Sequence, residues 1–569
     1  MRLHFVLTLA ASLTFAMGPG FADGNAGSYL AARTAIIDNN FSEAAKHFTR
    51  ALVRDPRNPV LLENAMSAYL GLGDIDRAVP LARRMNEVGA PSQISSMVLL
   101  GDAARRGAWD RVIEDIDAGQ TVGPLFDGLA RAWAELGAGQ MSTAATGFDE
   151  VISNNGVEAF GLYHKALALA SVGDFESAAE IFSGETGTTV RLTRRGVIAY
   201  AQVLSQLERN EAALELIQKS FGTTLDPALE AMRTALSDGE TLVFDAVRTP
   251  ADGVAEIFHS IAGALRGEAQ GAYTLLYSRM ALALRSDHID ALLMSAEILE
   301  DLERYELATE VYDTVPRSSP AYHSAELGRA EALRRSGRVD AAIEVLQQLT
   351  ESHADIPLVH VTLGDTLRGL ERFSDAIGPY NQALTLIDDP GSQHWIVFFA
   401  RGIAHERTDQ WEKAESDFRR ALELRPEQPQ VLNYLGYSFL EMQENLDEAL
   451  DLIERAVALR PDSGYIIDSL GWGLYRLGRY GEAVGHMERA VELMPIDPVV
   501  NDHLGDVYWA VGRYREAEFQ WHRALSFVTG DTDTGDIDPD RIRRKLDIGL
   551  DDVLTEEGAS PLEMANDDG

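Results

Sequence analysis

The sequence predicts an all-α protein, a stack of short helical hairpins, and three observations carry that prediction. Small and aromatic residues recur in phase about every 34 residues along most of the 569-residue chain. Within each period apolar residues fall at helical spacing. Ala, Leu, Glu and Arg, all good helix formers, are plentiful, in a chain with an ordinary 46% of hydrophobic residues.

The clearest period is 468–495. Leu470, Leu474 and Leu477 share one face of a first helix. Gly478, Arg479 and Tyr480 make a turn; Ala483, Met487 and Ala490 line a second helix, and Pro495 stops it. Small residues at Gly471 and Ala483 let the two helices approach closely. Thirty-four residues on, the same types stand at Gly505, Gly512, Tyr514, Ala517 and Ala524; upstream, at Gly436 and at Gly402, with Trp411, Ala414, Phe418, Ala421 and Pro426 behind it. This pattern resembles the tetratricopeptide repeat (TPR) family: a small residue in the middle of helix A, Gly then an aromatic at the turn, Ala, aromatic and Ala on helix B, then Pro. The resemblance implies a right-handed superhelical solenoid of about fourteen helix-turn-helix units, in which helix A of each pair lines a concave face.

Residues 1–22 read as a cleavable secretory signal: Arg2 as the positive flank, an apolar run over 5–16 too short to span a bilayer, then Gly18, Pro19 and Gly20. The expected location is the periplasm. An N-terminal array follows over 23–220. Its first unit is marked by Ala32, Phe41, Ala44, Phe48, Ala51 and Pro56, and a later good one by Ala166, Gly173, Phe175, Ala178 and Phe182. Residues 186–190 read as a polar loop insertion. The phase then breaks: the next mark after Ala201 is Ala262. Residues 221–260 are therefore expected to form an irregular connector, with a helix opened by Asp226 and Pro227, strand-forming residues at 241–247, and a new helix at Thr249-Pro250. A C-terminal array covers 261–528, marked by Ala262, Ala296, Ala330, Gly364, Gly402, Gly436, Gly471 and Gly505. Residues 529–569 form an acidic tail. Within it 538–550 is expected as a capping helix, with Ile542, Leu546 and Leu550 as its apolar stripe, and 551–569 without fixed structure.

The formal charge is 50 − 89 = −39, which argues against nucleic acid and anionic membrane surfaces as partners. With no cysteine, neither disulfides nor a lipidated cysteine can hold the protein. No catalytic signature stands out: His405-Glu406 lacks a second metal-binding histidine, Ser438 lacks the glycine of a nucleophile elbow, and there is no phosphate loop. No cofactor or metal is expected, and the protein is expected not to be an enzyme. The one enzyme alternative uses Asp245, Asp252, Glu256 and His259 of the connector, which lack a recognisable arrangement.

The TPR resemblance places Tyr465, Asp468, Trp472, Tyr475 and Arg476 on the groove, with Asp502, Asp506 and Trp509 in the next unit and Asn433 and Tyr437 in the one before. Rings supply contact area there and carboxylates select basic or amide-bearing residues of a peptide. As a whole the chain is similar to TPR proteins of the bacterial cell envelope. That class includes adaptors that deliver cell-wall hydrolases to a carboxyl-terminal processing protease, and scaffolds for exopolysaccharide synthesis or export. The resemblance thus implies a non-catalytic scaffold that binds proteins or peptides.

Overall fold

A computed structural model describes residues 24–184, 192–222, 225–528 and 537–559. The expected signal segment and the insertion at 186–190 lie outside the described residues. Among the described residues there are 31 α-helices and no strand. The chain divides into two compact units, Met1–Leu349 and Thr350–Gly569.

In unit 1 the hairpins follow one another: α1 (Gly24–Ile37) with α2 (Phe41–Arg54), α3 (Pro59–Gly71) with α4 (Ile75–Glu87), α5 (Gln93–Arg105) with α6 (Trp109–Asp117), α7 (Pro124–Gly137) with α8 (Met141–Ile152), α9 (Glu158–Ser171) with α10 (Phe175–Ser183) and α11 (Arg194–Gln206) with α12 (Asn210–Phe221). A single helix, α13 (Pro227–Ser237), comes next. Then come α14 (Pro250–Leu265) with α15 (Gly271–Leu284), α16 (Ile289–Asp301) with α17 (Tyr305–Tyr312), and α18 (Tyr322–Arg335) before α19 (Val339–Ser352). The helices start where capping chemistry permits: Asn58 and Asp226 accept backbone N–H groups while Pro59 and Pro227 occupy the first helical position, where a missing N–H costs nothing.

The stretch 221–260 holds α13, an extended run and the beginning of α14. The strand-forming residues at 241–247 pair with no strand, because side chains of α11 satisfy their backbone. Ser205 Oγ accepts from Leu242 N–H at 2.9 Å, Gln206 donates to the Leu242 carbonyl at 2.5 Å, and Gln202 and Asp245 bond reciprocally. The next helix pair, α14 and α15, does more than extend the stack. Helix α14 packs on α5, α7 and α9, and α15 on α3 and α5, so the pair lies against the A helices of the preceding array. Glycines allow this approach: a Cβ at Gly253 would overlap the Trp133 ring, and one at Gly101 would overlap the end of Met280. Trp133 is fully buried and donates to His164 Nδ1 at 3.2 Å.

Unit 2 contains five regular hairpins: α20 (Pro357–Gly369) with α21 (Phe373–Thr385), α22 (Trp395–Glu406) with α23 (Trp411–Leu424), α24 (Pro429–Met442) with α25 (Leu446–Leu459), α26 (Gly464–Arg476) with α27 (Tyr480–Leu493), and α28 (Pro498–Ala510) with α29 (Tyr514–Phe527). The mid-helix glycine of each A helix is the contact point. A Cβ at Gly364, Gly402, Gly471 or Gly505 would strike Tyr380, Phe418, Met487 or Trp521 of its B helix. Two more helices close the described chain, α30 (Pro539–Ile548) and α31 (Leu550–Glu556). Residues 551–556 were expected to lack structure; they are helical, and the buried side chains of Leu550 and Val553 explain why.

Candidate functional site

A helix advances 100° per residue, so positions 2, 5, 9 and 12 of each A helix lie on one face. In unit 2 those positions are Leu358, Val361, Asp365 and Arg368 on α20; Ile396, Phe399, Ile403 and Glu406 on α22; Gln430, Asn433, Tyr437 and Leu440 on α24; Tyr465, Asp468, Trp472 and Tyr475 on α26; and Val499, Asp502, Asp506 and Trp509 on α28. All but one of the groove residues expected from the sequence fall on this face; Arg476 follows Tyr475 and reaches Glu441 of α24 at 3.4 Å.

The face is not uniformly open. On α28 it is covered by α30 and α31. Lys545 of α30 is buried, with Nζ 2.9 Å from Asp502 and 2.6 Å from Asp506. Asp506 also accepts from Trp521 Nε1 at 2.9 Å. Trp509 donates to Asp551 of α31 at 3.0 Å, and its ring covers Gly549, whose φ of +86° and contact with that ring leave no room for a side chain. Asp502, Asp506 and Trp509 therefore do not line an open groove: they hold a basic residue and an apolar stripe of the chain itself. Two carboxylates facing one buried site explain the arrangement, since they must be neutralised by a cation.

On α26, Asp468 and Tyr475 are buried. His503 of α28 lies 3.1 Å from Asp468, its ring stacked on Trp472 at 3.9 Å, and Trp472 stacks in turn on Tyr475 at 4.8 Å. Burial alone would lower the His503 pKa; the Asp468 carboxylate, with Asp502 and Asp506 behind it, outweighs burial and raises it above 6.5. Asn433 is buried and donates to Ser469 at 3.2 Å, while Tyr437 is half-buried. Asp468 and Trp472 thus join α26 to α28, and Asn433 joins α24 to α26. Tyr465 remains 48% exposed, and so do Leu358 at 56% and Ile396 at 54%. All three are the second residue of their helices. The sequence reading passed over Leu358 and Ile396; their signal was the register of apolar residues one position after each helix start.

Unit 1 contains a second constellation. A cavity of about 630 Å³ lies between α9, the start of α11, α14 and α16. At its floor Glu256 receives the Tyr163 hydroxyl at 2.9 Å, Arg195 Nε at 2.7 Å and His288 Nε2 at 3.3 Å. His288 Nδ1 caps α16 by accepting from Ala291 N–H, so Nε2 carries the proton that points at Glu256. Arg195 also donates to Asp290 at 3.0 Å and to the Ala246 carbonyl at 2.9 Å. Burial would raise the Glu256 pKa, but Arg195 and His288 hold it well below the usual carboxylate range. The His259 ring lies 4.6 Å from that of His288, tilted by 44°; burial, with His288 beside it, lowers the His259 pKa to about 4. Of the four connector residues, Glu256 and His259 thus meet at this cavity. Asp245 bonds Gln202, and Asp252 forms the capping box of α14 with Thr249. Among the described residues no three acidic or histidine side chains converge to hold a metal, and no helix is long and apolar enough to cross a membrane.

The tetratricopeptide repeat family model matches residues 327–392 and 399–464. A TPR repeat-containing protein of Pseudomonas aeruginosa is 26% identical over 160 residues, 28% of this chain and 26% of that one. A tetratricopeptide repeat-containing protein of Caenorhabditis elegans is 30% identical over 137 residues, 24% of this chain and 16% of its own. The chain thus spans about a quarter and a sixth of the length of these two relatives. In the crystal structure of the APC/C hetero-tetramer Cut9–Hcn1, a chain aligns over 92% of this one and 96% of its own, at 13% identity and a TM-score of 0.37. Proteins of this fold generally mediate protein–protein interaction and are typically non-catalytic. The hairpins matched over 327–392 and 399–464 are tetratricopeptide repeats, and the protein has an all-α TPR fold.

Proposed function

We propose that the protein is a non-catalytic scaffold that binds segments of client proteins on the A-helix face of unit 2. The observation that carries this reading is the row of exposed Leu358, Ile396 and Tyr465 at equivalent positions of α20, α22 and α26. Apolar side chains repeated at one register on three of four consecutive A helices, with Gln430 of α24 between Ile396 and Tyr465, make a contact strip. The last repeat illustrates what this face accepts: α30 presents Ile542 to the core and Lys545 to Asp502 and Asp506. A client with an apolar stripe and a basic residue fits the same chemistry further along.

The site of action in this proposal is the periplasm, on the strength of Arg2 and the apolar run at 5–16. The role there is that of an adaptor presenting clients, such as cell-wall hydrolases, to a protease. The test is affinity capture from an envelope extract with wild type and with a Leu358→Ser/Ile396→Ser/Tyr465→Ser triple variant of equal helicity. Hydrolases and a protease captured by wild type and lost from the variant support the reading. Equal capture by both removes the contact strip from it, and capture of polysaccharide-export components alone replaces the adaptor role.

A further inference from the structure

The cavity of unit 1 is built like a ligand site rather than a packing defect. Its walls are apolar, with Phe160, Leu192, Leu293 and Met294 among them, and its floor is the hydrogen-bonded ionic cluster around Glu256. A pocket of apolar walls with a few convergent polar groups is the usual form of a small-ligand site.

The charges decide what it can hold. Each arginine on the cavity already has a carboxylate: Arg195 has Glu256 and Asp290, Arg194 has Asp226 at 2.7 Å, and Arg266 has Glu297 at 2.5 Å. An anionic ligand would have to compete with these carboxylates. Glu256 and Asp290 share the single charge of Arg195. Asp290 gives Arg195 only its Oδ2, and its side chain is 34% exposed. His259 lines the cavity, and its Nδ1 is buried without a hydrogen-bond partner. The polar end of the cavity thus offers Asp290 Oδ1 and the unpartnered His259 Nδ1.

We propose that this cavity binds a cationic amphipath, an ammonium head at Asp290 carried on an apolar body lying along Phe160, Leu293 and Met294. The head is either that of a free amine or that of a lysine next to an apolar residue in a client. The site is independent of the contact strip on unit 2.

Ligand-observed NMR titration of the full chain tests it with 4-phenylbutylamine, 4-phenylbutanol and 4-phenylbutyrate. The amine is expected to bind with a Kd on the order of 1 mM, as its size allows, and about tenfold tighter than the alcohol or the acid. Two variants report on the site. At Gly263 a Cβ would meet nothing closer than Met294 Cε at 4.0 Å, so Gly263→Leu starts from open space on the cavity wall, on a helix that favours leucine over glycine. It should weaken the amine about tenfold or more. Asp290→Asn, with its melting temperature checked, should bring amine and alcohol to equal affinity. The Leu358→Ser/Ile396→Ser/Tyr465→Ser variant should bind the amine as wild type does. Acid binding as tight as amine binding, or amine binding unchanged in Gly263→Leu, overturns the proposal. Acetyl-Phe-Lys-amide then tells the sources apart: displacement of the amine assigns the head to a client lysine, and failure to displace it assigns a free amine.

Discussion

In unit 1 the face formed by α3, α5, α7 and α9 is covered by α14 and α15, helices from further along the same unit. In unit 2 the corresponding face carries exposed Leu358, Ile396 and Tyr465, and among the described residues it is covered on α28, by α30 and α31. The hairpins themselves are alike in the two units. What differs is the covering element. Helices α14 and α15 are mostly apolar and enter by steric fit, at Gly253 against Trp133 and Gly101 against Met280. Helix α30 is strongly charged and enters through Lys545, neutralised by two aspartates. One face is therefore part of a core; the other is a surface with one self-supplied ligand.

That contrast breaks most sharply at Lys545. Its side chain is fully buried, and removing it strips Asp502 of its cation and leaves Asp506 with Arg541, 3.7 Å away. Breaking a buried ion pair by deleting one partner costs about 3–5 kcal/mol. Lys545→Ala should lose that much of the closing free energy of 537–559 on α28, read as lost hydrogen-exchange protection in α30 and α31, while α14 and α15 stay protected. The compensated variant Asp502→Asn/Asp506→Asn/Lys545→Met should restore protection. Unchanged protection in Lys545→Ala would show that the apolar stripe alone holds the helices.

The same small substitution should act with opposite sign in the two regions. Gly253→Ala puts a methyl group into the rigid, fully buried Trp133 ring, and overpacking of that kind costs about 1–3 kcal/mol. Gly485→Ala, on the open side of α27 with nothing within 4 Å, should instead stabilise by about 1 kcal/mol through helix propensity. Calorimetric melting of the two variants checks both. A neutral Gly253→Ala would mean that α14 can shift along α7, and the steric account of unit 1 would fail.

The hairpins were legible because every one repeats a local rule. Gly471, Gly478 and Ala483 state helix, turn and close contact within thirteen residues, and Met487 completes the contact that Gly471 makes possible. The covering of unit 1 was not, because nothing local distinguishes α14 from the A helix of another repeat: Ala262 sits in phase and is buried as expected, but the helix bearing it packs on α5, α7 and α9, several repeats earlier in the chain. Glu256 and His259 were visible as chemistry-bearing residues, yet Tyr163, Arg195 and His288, which give them a site, come from three other segments. In the tail, Arg541, Arg543, Arg544 and Lys545 looked alike; only Lys545 takes a buried turn between Ile542 and Leu546, since i+3 and i+4 from Ile542 bracket the inner face.

The gentlest way to sharpen the comparison is pH, because the two histidine-bearing clusters answer it in opposite directions. In unit 2, His503 has its folded pKa raised above 6.5; burial opposes this, but Asp468 on α26 and Asp502 and Asp506 on α28 prevail, with Arg541 and Lys545 of α30 also facing this region. A raised histidine stabilises the fold fully below pH 6.5 and loses that contribution as pH rises through the folded value, about 1.4 kcal/mol for each tenfold difference in proton affinity. In unit 1, His259 is held near 4, chiefly by burial, so its neutral form belongs to the folded state and unit 1 loses stability as pH falls from 6.5 towards 4. Hydrogen exchange between pH 5 and 8, corrected for intrinsic rates, should therefore show α26 and α28 loosening towards the alkaline end and α14 and α16 towards the acid end. His503→Gln should flatten the first trend and leave the second. A trend in α26 and α28 that survives that substitution would mean that Asp502 and its neighbours, rather than the Asp468–His503 pair, set the pH response of this face.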